Sequence, residues 1–189
     1  MTGKHAFIAG SLSLCLVDTL GGRGGAGVER LTGPEDLREW LVSAGLAVQP
    51  LPAPSDEDVA NARALREAIH RCGLAVLAKA PMMAGDLAIL NGWSAHPPLR
   101  PQFTGQGLTW QAREPVKAAL STLAADAIET LAPPKAARIR VCPECRMMFL
   151  DNSRAGRRQW CSSATGCGNR AKVRSHRARI SRSSNGGSP

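Results

Sequence analysis

The chain has 189 residues, of which 43% are hydrophobic and only 4% are aromatic. This length allows one packed domain and a small accessory module, and the shortage of aromatic side chains favours packed helices over an aromatic-rich β-sandwich. The net charge is +9, but residues 1–132 carry 11 Lys and Arg against 13 Asp and Glu, whereas residues 133–189 carry 13 against 2. A near-neutral body that ends in a strongly cationic segment indicates a polyanionic partner, most often a nucleic acid.

The first apolar segment covers residues 6–17. It follows Lys4 and resembles the core of a secretory signal, but no small-residue cleavage pattern comes after it, and no apolar run in the sequence reaches the ~20 residues that a membrane span needs. We therefore expect a cytoplasmic protein without a membrane partner. Leu12, Leu14 and Leu16 alternate as in a strand, but the segment also has an apolar helical face, so its periodicity leaves strand and helix open.

Residues 21–27 (GGRGGAG) match the glycine spacing of a dinucleotide-binding loop. That motif also needs a helix that starts inside the loop, and residues 32–34 (TGP) postpone the helix, so a plain loop is the better interpretation. Thr32 and Glu35 have capping-box spacing, and a helix is predicted over residues 34–44.

Three further helices and a hairpin are predicted in the rest of the body. A long helix over residues 56–79 is capped by Ser55, a second helix covers residues 84–95, a hairpin spans residues 99–112, and an amphipathic helix spans residues 115–131. The side chains predicted to face the core are Val59, Ala62, Leu65, Ile69, Cys72 and Val76 on the long helix, and Leu87 and Leu90 on the next.

The predicted fold class is mainly α. We expect a helical N-terminal domain with a small β-hairpin over residues 1–132 (the body), a zinc-binding module over residues 133–182 (the C-terminal module), and a disordered tail over residues 183–189. The body's histidines are scattered without metal-ligand or catalytic-triad spacing. We find no group of residues in the sequence with the pattern of a catalytic site, so we do not predict an enzyme.

Four cysteines lie close together in the C-terminal module, in two pairs: Cys142 with Cys145, and Cys161 with Cys167. The tight turn of a C-x2-C pair brings two sulfurs to one side of a metal ion, and a second pair about 15 residues later completes a tetrahedron. So small a module cannot bury enough apolar surface to fold unaided. We therefore predict one structural Zn²⁺ in a treble-clef-like finger, with four thiolates that leave no open position for catalysis.

Three alternatives to zinc are less favoured. The cysteines could be unrelated reduced thiols, or they could form disulfides if the protein were secreted. An iron–sulfur cluster is a third option, but the spacing does not match the usual cluster motifs.

Residues 168–182 (GNRAKVRSHRARISR) read as a strongly basic helix. Like charges this dense destabilise an isolated helix, and they make sense if phosphates neutralise them. The predicted nucleic-acid contacts are Arg157, Arg158, Arg170, Lys172, Arg174, Arg177 and Arg179. The alternatives are an acidic protein surface, a solvated tail, or cations such as Arg146 and Arg170 that soften the charge of a zinc–thiolate site.

The tetrapeptide of residues 167–170 (CGNR) is the one that gives the CGNR zinc-finger proteins their name, and residues 149–179 resemble that module nearly throughout. Residues 9–20 (AGSLSLCLVDTL) and the helix near Trp40 resemble the ABATE domain that usually precedes it. Here the first cysteine pair is closer and the second is one residue wider than in the family, and Asp18 stands where Asn is usual. The resemblance implies a stress-induced bacterial transcription regulator.

The leading hypothesis is a cytoplasmic bacterial DNA-binding regulator. In it, the body senses a small-molecule effector or forms a homodimer, and the C-terminal module presents its basic helix to DNA. The alternative is a ligand-binding or protein-interaction protein whose zinc finger is purely structural, with the basic helix packed on acids of the body such as Asp56, Glu57 and Asp58.

Overall fold

The computed structural model of the chain describes residues 6–47, 51–162 and 166–185. Within these ranges the fold is mainly α, as predicted, with six α-helices and three two-stranded antiparallel sheets. In chain order the elements are α1 (Leu12–Val17), β1 (Leu20–Gly21), β2 (Val28–Glu29), α2 (Pro34–Ser43), α3 (Asp56–Ala78), α4 (Ala84–Ser94), β3 (Arg100–Thr104), β4 (Gly107–Gln111), α5 (Pro115–Leu131), β5 (Ile139–Val141), β6 (Met148–Leu150) and α6 (Cys167–Asn185).

The ambiguous first segment contains a short helix, α1. The Ser11 hydroxyl caps it by accepting a hydrogen bond from the amide of Leu14 at 3.3 Å. Residues 13–17 are all buried, because α1 lies against α3, α5 and β6. The glycine-rich segment 21–27 then connects β1 to β2 and opens no helix, as predicted.

The long helix α3 begins and packs as its sequence indicates. Ser55 and Asp58 form a reciprocal capping box: the Ser55 hydroxyl accepts from the Asp58 amide at 3.1 Å, and the Ser55 amide donates to the Asp58 carboxylate at 2.8 Å. Its predicted stripe is buried except for Val76, which is half-buried near the end of the helix. α4 and α5 pack against this helix and against each other.

Two local predictions in the body were wrong. Thr32 does not cap α2, because the cap position is Gly33 and the Thr32 hydroxyl hydrogen-bonds to the carboxylate of Asp36 instead. Leu87 is 39% exposed, because α4 turns the face of Asp86 and Leu90 towards the core.

The predicted hairpin is present as β3–β4, with Arg100 paired to Gln111 and Phe103 paired to Leu108. Its apolar side chains contribute little to the core. Phe103 is 89% exposed, and Leu108 and Trp110 are also exposed.

The core continues from the body into the C-terminal module. Ile139 and Phe149 of the β5–β6 sheet are fully buried in the same cluster as the residues of α1, α3 and α5. The Leu150 amide donates to the Ala9 carbonyl at 2.7 Å, which ties β6 to the start of α1. α6 extends to Asn185, so residues 183–185 are helical rather than part of a tail, while residues 186–189 lie outside the described residues.

Candidate metal centre

The first cysteine pair lies in a tight turn between β5 and β6. The Cys142 amide donates to the Met147 carbonyl at 2.9 Å, and the Arg146 amide donates to the Cys142 carbonyl at 3.0 Å. Arg146 has a left-handed conformation with φ of 62°. This turn places Cys142 and Cys145 on the same side of the backbone, as a metal-binding knuckle requires.

The second pair is positioned by a loop and by the start of α6. The buried carboxylate of Asp151 accepts from the amides of Ser153 and Arg158, each at 2.9 Å, and so fixes the loop that leads to Cys161. The hydrogen bonds from Ser153, followed by the one from Arg158, hold the pKa of the Asp151 carboxyl below its usual range. Cys167 is the first residue of α6.

The four sulfurs converge. The Sγ atoms of Cys142, Cys145, Cys161 and Cys167 all lie within 4.8 Å of one another, and those of Cys145 and Cys161 are 3.6 Å apart. A zinc ion with four bonds of about 2.3 Å separates its sulfurs by about 3.8 Å. All six cysteines of the chain lie in the described ranges and are free thiols, so the paired disulfides considered above are not formed. The cluster therefore fits one tetrahedral zinc ion.

The surroundings of the sulfurs shift the thiol pKa values in both directions. Burial raises the pKa of the Cys145 thiol to about 11 and that of Cys161 further, so a metal ion has to displace their protons. Burial acts in the same direction at Cys142, but backbone N–H donors from Cys145, Cys161 and Glu144 outweigh it and lower the pKa of Cys142 to about 7. The Arg170 guanidinium donates to the Cys167 sulfur at 3.0 Å, which offsets part of the negative charge of a four-thiolate site.

Comparison with known protein families agrees with this geometry. Residues 10–134 match the ABATE family model, which is described as "Putative stress-induced transcription regulator". The chain belongs to the ABATE family. Residues 138–180 match the model of the CGNR zinc finger, so the two modules follow each other in the expected order. Among curated proteins, none matches the chain.

The CGNR zinc-finger match and the cysteine cluster together account for the cofactor. The C-terminal module carries a site for a single zinc ion, built from four closely spaced cysteines. Four thiolates fill the coordination shell of zinc, so the ion would supply folding free energy rather than a reactive water. Among the described residues, no helix has the length and apolar character to cross a membrane.

Arg158, Arg170 and Arg174, which were predicted to contact nucleic acid, make contacts inside the C-terminal module. Arg158 lies over the Phe149 ring at 4.8 Å and donates to the Trp160 carbonyl at 2.8 Å. Arg170 contacts the Cys167 sulfur, as described above. Arg174 forms an ion pair with Glu144 of the knuckle. These arginines contribute to holding the loop, the zinc site and α6 together.

The other predicted contacts are exposed. Arg157 lies on the loop that precedes Cys161, while Lys172, Arg177 and Arg179 lie along α6. Five of the seven predicted residues lie on α6, and the other two, Arg157 and Arg158, lie on the loop before Cys161. All four side chains are exposed to solvent, and Arg177 and Arg179 also take part in interactions within the chain.

Sequence reasoning missed two acidic residues of this site. Asp151 organises the loop before Cys161, and Glu144 pairs with Arg174. The Asp-x-Ser of residues 151–153 is an Asx-turn signal that could have revealed the first. Glu144 had no comparable signal, because its partner is 30 residues away and depends on the direction in which α6 leaves the zinc site.

Proposed function

We propose that the chain is a cytoplasmic bacterial transcription regulator that binds DNA through its C-terminal module. One structural zinc ion, ligated by Cys142, Cys145, Cys161 and Cys167, would hold the knuckle and the start of α6 in a fixed relation. The convergence of the four sulfurs within 4.8 Å supports this ligand set. The family description supports a regulatory role.

The observation that carries the DNA-binding proposal is the exposure of α6. The side chains described between Lys172 and Ile180 are all exposed, although Arg177, Arg179 and Ile180 also take part in interactions within the chain. A helix that is polar on all sides needs a partner or many internal ion pairs to be stable. With only two carboxylates in residues 133–189, phosphates are the natural counter-charges.

A groove elsewhere on the C-terminal module supports the same partner. Arg140, Arg157 and Arg158 line a shallow groove of about 590 Å³ on the module. The guanidiniums of Arg140 and Arg158 hydrogen-bond to backbone carbonyls, which leaves Arg157 as the most exposed of the three. Together with α6 this groove provides two separate places for backbone phosphates.

A salt titration with fluorescently labelled duplex DNA tests the proposal. Changing Lys172→Gln and Arg179→Gln together should weaken binding and reduce the slope of log K against log salt by about 1.8, because each phosphate contact contributes about 0.9. The matched control is Arg38→Gln with Lys135→Gln, which removes two exposed cations of ion pairs outside α6. Absence of binding to duplex or single-stranded DNA at about 50 mM salt would contradict the proposal.

A second function is favoured by the arginines that act inside the module. If the zinc finger is purely structural, the ion pair of Arg174 with Glu144 is part of the fold and needs no nucleic acid. In that case the variant at Lys172 and Arg179 would leave a bound small ligand or protein partner unaffected. The acids Asp56, Glu57 and Asp58, considered as partners of the basic helix, lie in the first turn of α3, and the acid that pairs with Arg174 is Glu144 instead.

The role proposed for the body is effector sensing or homodimerisation. The exposed apolar side chains of the β3–β4 hairpin support self-association, because a lone two-stranded sheet is only marginally stable in water and a twofold dimer would cover the same apolar patch on both chains. Sedimentation velocity of the wild-type chain and of the Phe103→Ser variant distinguishes a monomer from a dimer in each sample. A monomer in both samples at micromolar concentration would rule out the dimer.

A further inference from the structure

Five arginines of the body form ion pairs with carboxylates: Arg23 with Glu67, Arg38 with Glu35, Arg63 and Arg66 with Glu29, and Arg71 with Asp86. Arg100 and Arg113 differ from them. Across residues 6–47, 51–162 and 166–185, no described carboxylate lies within 4.0 Å of either guanidinium. The charge of Arg113 acts on the nearby Glu114 carboxylate, but the hydrogen bond of that carboxylate goes to Lys117. Two arginines that form no close ion pair call for a ligand if they share a site.

They do share a site. Both line an open cleft of about 640 Å³ at the base of the β3–β4 hairpin, which we call the hairpin cleft. Arg100 is the first residue of β3, and Arg113 follows the end of β4. Lys117, in the first turn of α5, adds a third cation to the lining, and the only carboxylate that lines the cleft among the described residues is Glu114, which pairs with Lys117 at 2.6 Å.

The remaining walls suit a small organic molecule. Pro97, Pro98 and Ala112 are apolar, while His96 and two glutamines supply polar groups. A volume of about 640 Å³ is in the range of sites that bind small ligands. Guanidinium groups bind phosphate and carboxylate with two parallel hydrogen bonds, which makes a pair of arginines a strong recognition element for a multivalent anion.

We propose that the hairpin cleft binds a small organic molecule that carries a multivalent phosphate or carboxylate group. Arg100 and Arg113 bind the anionic group, Lys117 contributes its remaining ammonium hydrogens, and the proline wall contacts the rest of the molecule. This inference gives the effector-sensing role a location and a ligand class, and it rests on the proposed function for its biological purpose.

Isothermal titration calorimetry of the full zinc-loaded chain, without DNA, tests the cleft with inorganic pyrophosphate and with citrate. These probes separate phosphate from carboxylate ligands at similar charge. We expect one site per chain for at least one probe, and a Kd at least tenfold weaker in the Arg100→Gln, Arg113→Gln double variant, since each lost charged hydrogen-bond pair costs about a factor of ten or more. Zinc content is measured before and after each titration, because both probes also bind metal ions.

Two matched variants locate the bound anion. Arg38→Gln with Lys135→Gln loses the same charge outside the hairpin cleft and should keep the wild-type Kd. Lys172→Gln with Arg179→Gln should bind pyrophosphate normally even where DNA binding is weakened. The ring centroids of Trp93 and of the cleft residue His96 are 5.1 Å apart, so binding in the cleft should change tryptophan fluorescence. Loss of that change in the Trp93→Phe variant would place the anion at this end of the body.

The outcomes separate this inference from the regulator proposal. Failure of both probes to bind at about 5 mM, or unchanged binding in the Arg100, Arg113 variant, would overturn the hairpin cleft as an anion site whether or not DNA is bound. Pyrophosphate or citrate binding that the variant abolishes would support the cleft, even if the chain bound no DNA and the regulator proposal failed.

Discussion

At the scale of single residues, Gly10 is one of the positions where the body lies against the C-terminal module. Its φ is +88°, and a Cβ atom added there would lie 2.5 Å from the Leu150 carbonyl oxygen. Its own carbonyl accepts from the Asn152 side chain at 2.7 Å. Gly10→Ala should therefore lower the free energy of unfolding by about 2–4 kcal/mol, because both the backbone conformation and the strand contact resist the methyl group.

Urea unfolding measures this effect, with Gly85→Ala as the matched control. Gly85 lies in α4, and apart from its chain neighbours and the nearby backbone of α4, no described atom lies within 4 Å of its added Cβ. The control should raise the free energy of unfolding by up to about 1 kcal/mol, since alanine favours a helix over glycine. Equal effects of the two substitutions would mean that the contact at Gly10 does not constrain the fold.

His70 gives the fold a pH dependence. Burial, followed by the nearby charge of Arg23, lowers the pKa of His70 to about 4 from an ordinary value of 6.5. As the pH falls below about 6.5, His70 becomes protonated in the unfolded chain but stays neutral in the folded chain. The contribution of His70 to the free energy of unfolding is therefore fully present above that pH and decreases towards pH 4. After allowance for partial solvent exposure, the loss from this group is about 1–2 kcal/mol.

The Arg23 guanidinium lies 3.5 Å from Nδ1 of His70. The His70→Gln variant isolates the titration of this residue, because a glutamine oxygen can accept a hydrogen bond from Arg23 and carries no titratable group. The difference in unfolding free energy between wild type and variant, followed from pH 7.5 to pH 4.5, cancels the acid sensitivity of the zinc site. That difference should move in favour of the variant as the pH falls. If the difference in unfolding free energy between wild type and variant did not change with pH, His70 would not be the source of the pH dependence.

At the scale of elements, the ion pair between Arg174 of α6 and Glu144 of the knuckle offers a test of whether α6 binds DNA or has a structural role only. The Glu144 carboxylate pairs with Arg174, and its hydrogen bond raises the pKa of this guanidinium. Glu144→Gln removes that carboxylate. If α6 binds DNA, the released arginine becomes available for a phosphate, so affinity should rise and the salt slope should steepen by about 0.9. The control Glu129→Gln removes an exposed acid that pairs with Lys135.

Labelled-duplex titrations of both variants, with thermal unfolding alongside, separate the two proposed functions. Unchanged DNA affinity with a clear drop in Tm for Glu144→Gln would favour the purely structural finger. Higher affinity with little change in Tm would favour the DNA-binding helix, because exposed ion pairs contribute little to stability.

Elements governed by local signals could be predicted from the sequence, and those governed by packing could not. α3 and α5 begin where Ser55 and Pro115 place them, since capping and proline chemistry act over a few residues. The sequence did not distinguish helix from strand for α1, because the packing of this segment against three other elements determines its secondary structure. The four cysteines were found from spacing alone, whereas the exposed face of the hairpin and the hairpin cleft depend on how β3–β4 leaves the body.

At the scale of the whole molecule, the body and the C-terminal module share one hydrophobic core. Phe149 and Ile139 are buried with residues of α1 and α3, and β6 hydrogen-bonds to Ala9. The glycine loop also rests on the knuckle, because a Cβ at Gly24 would lie 2.7 Å from the side chain of Arg146. Loss of structure at the metal site should therefore reach the body.

Removal of zinc tests this coupling. The purified chain should contain about one zinc per molecule, and Cys161→Ser should lose it, while Cys15→Ala, which removes a buried thiol of the body, should keep it. Because a structural zinc supplies on the order of 10 kcal/mol to a small finger, chelation or Cys161→Ser should lower the Tm of the entire chain in one cooperative transition. A body that kept its original Tm after the metal was lost would show two independent folding units, and the shared core would then contribute little to the stability of either.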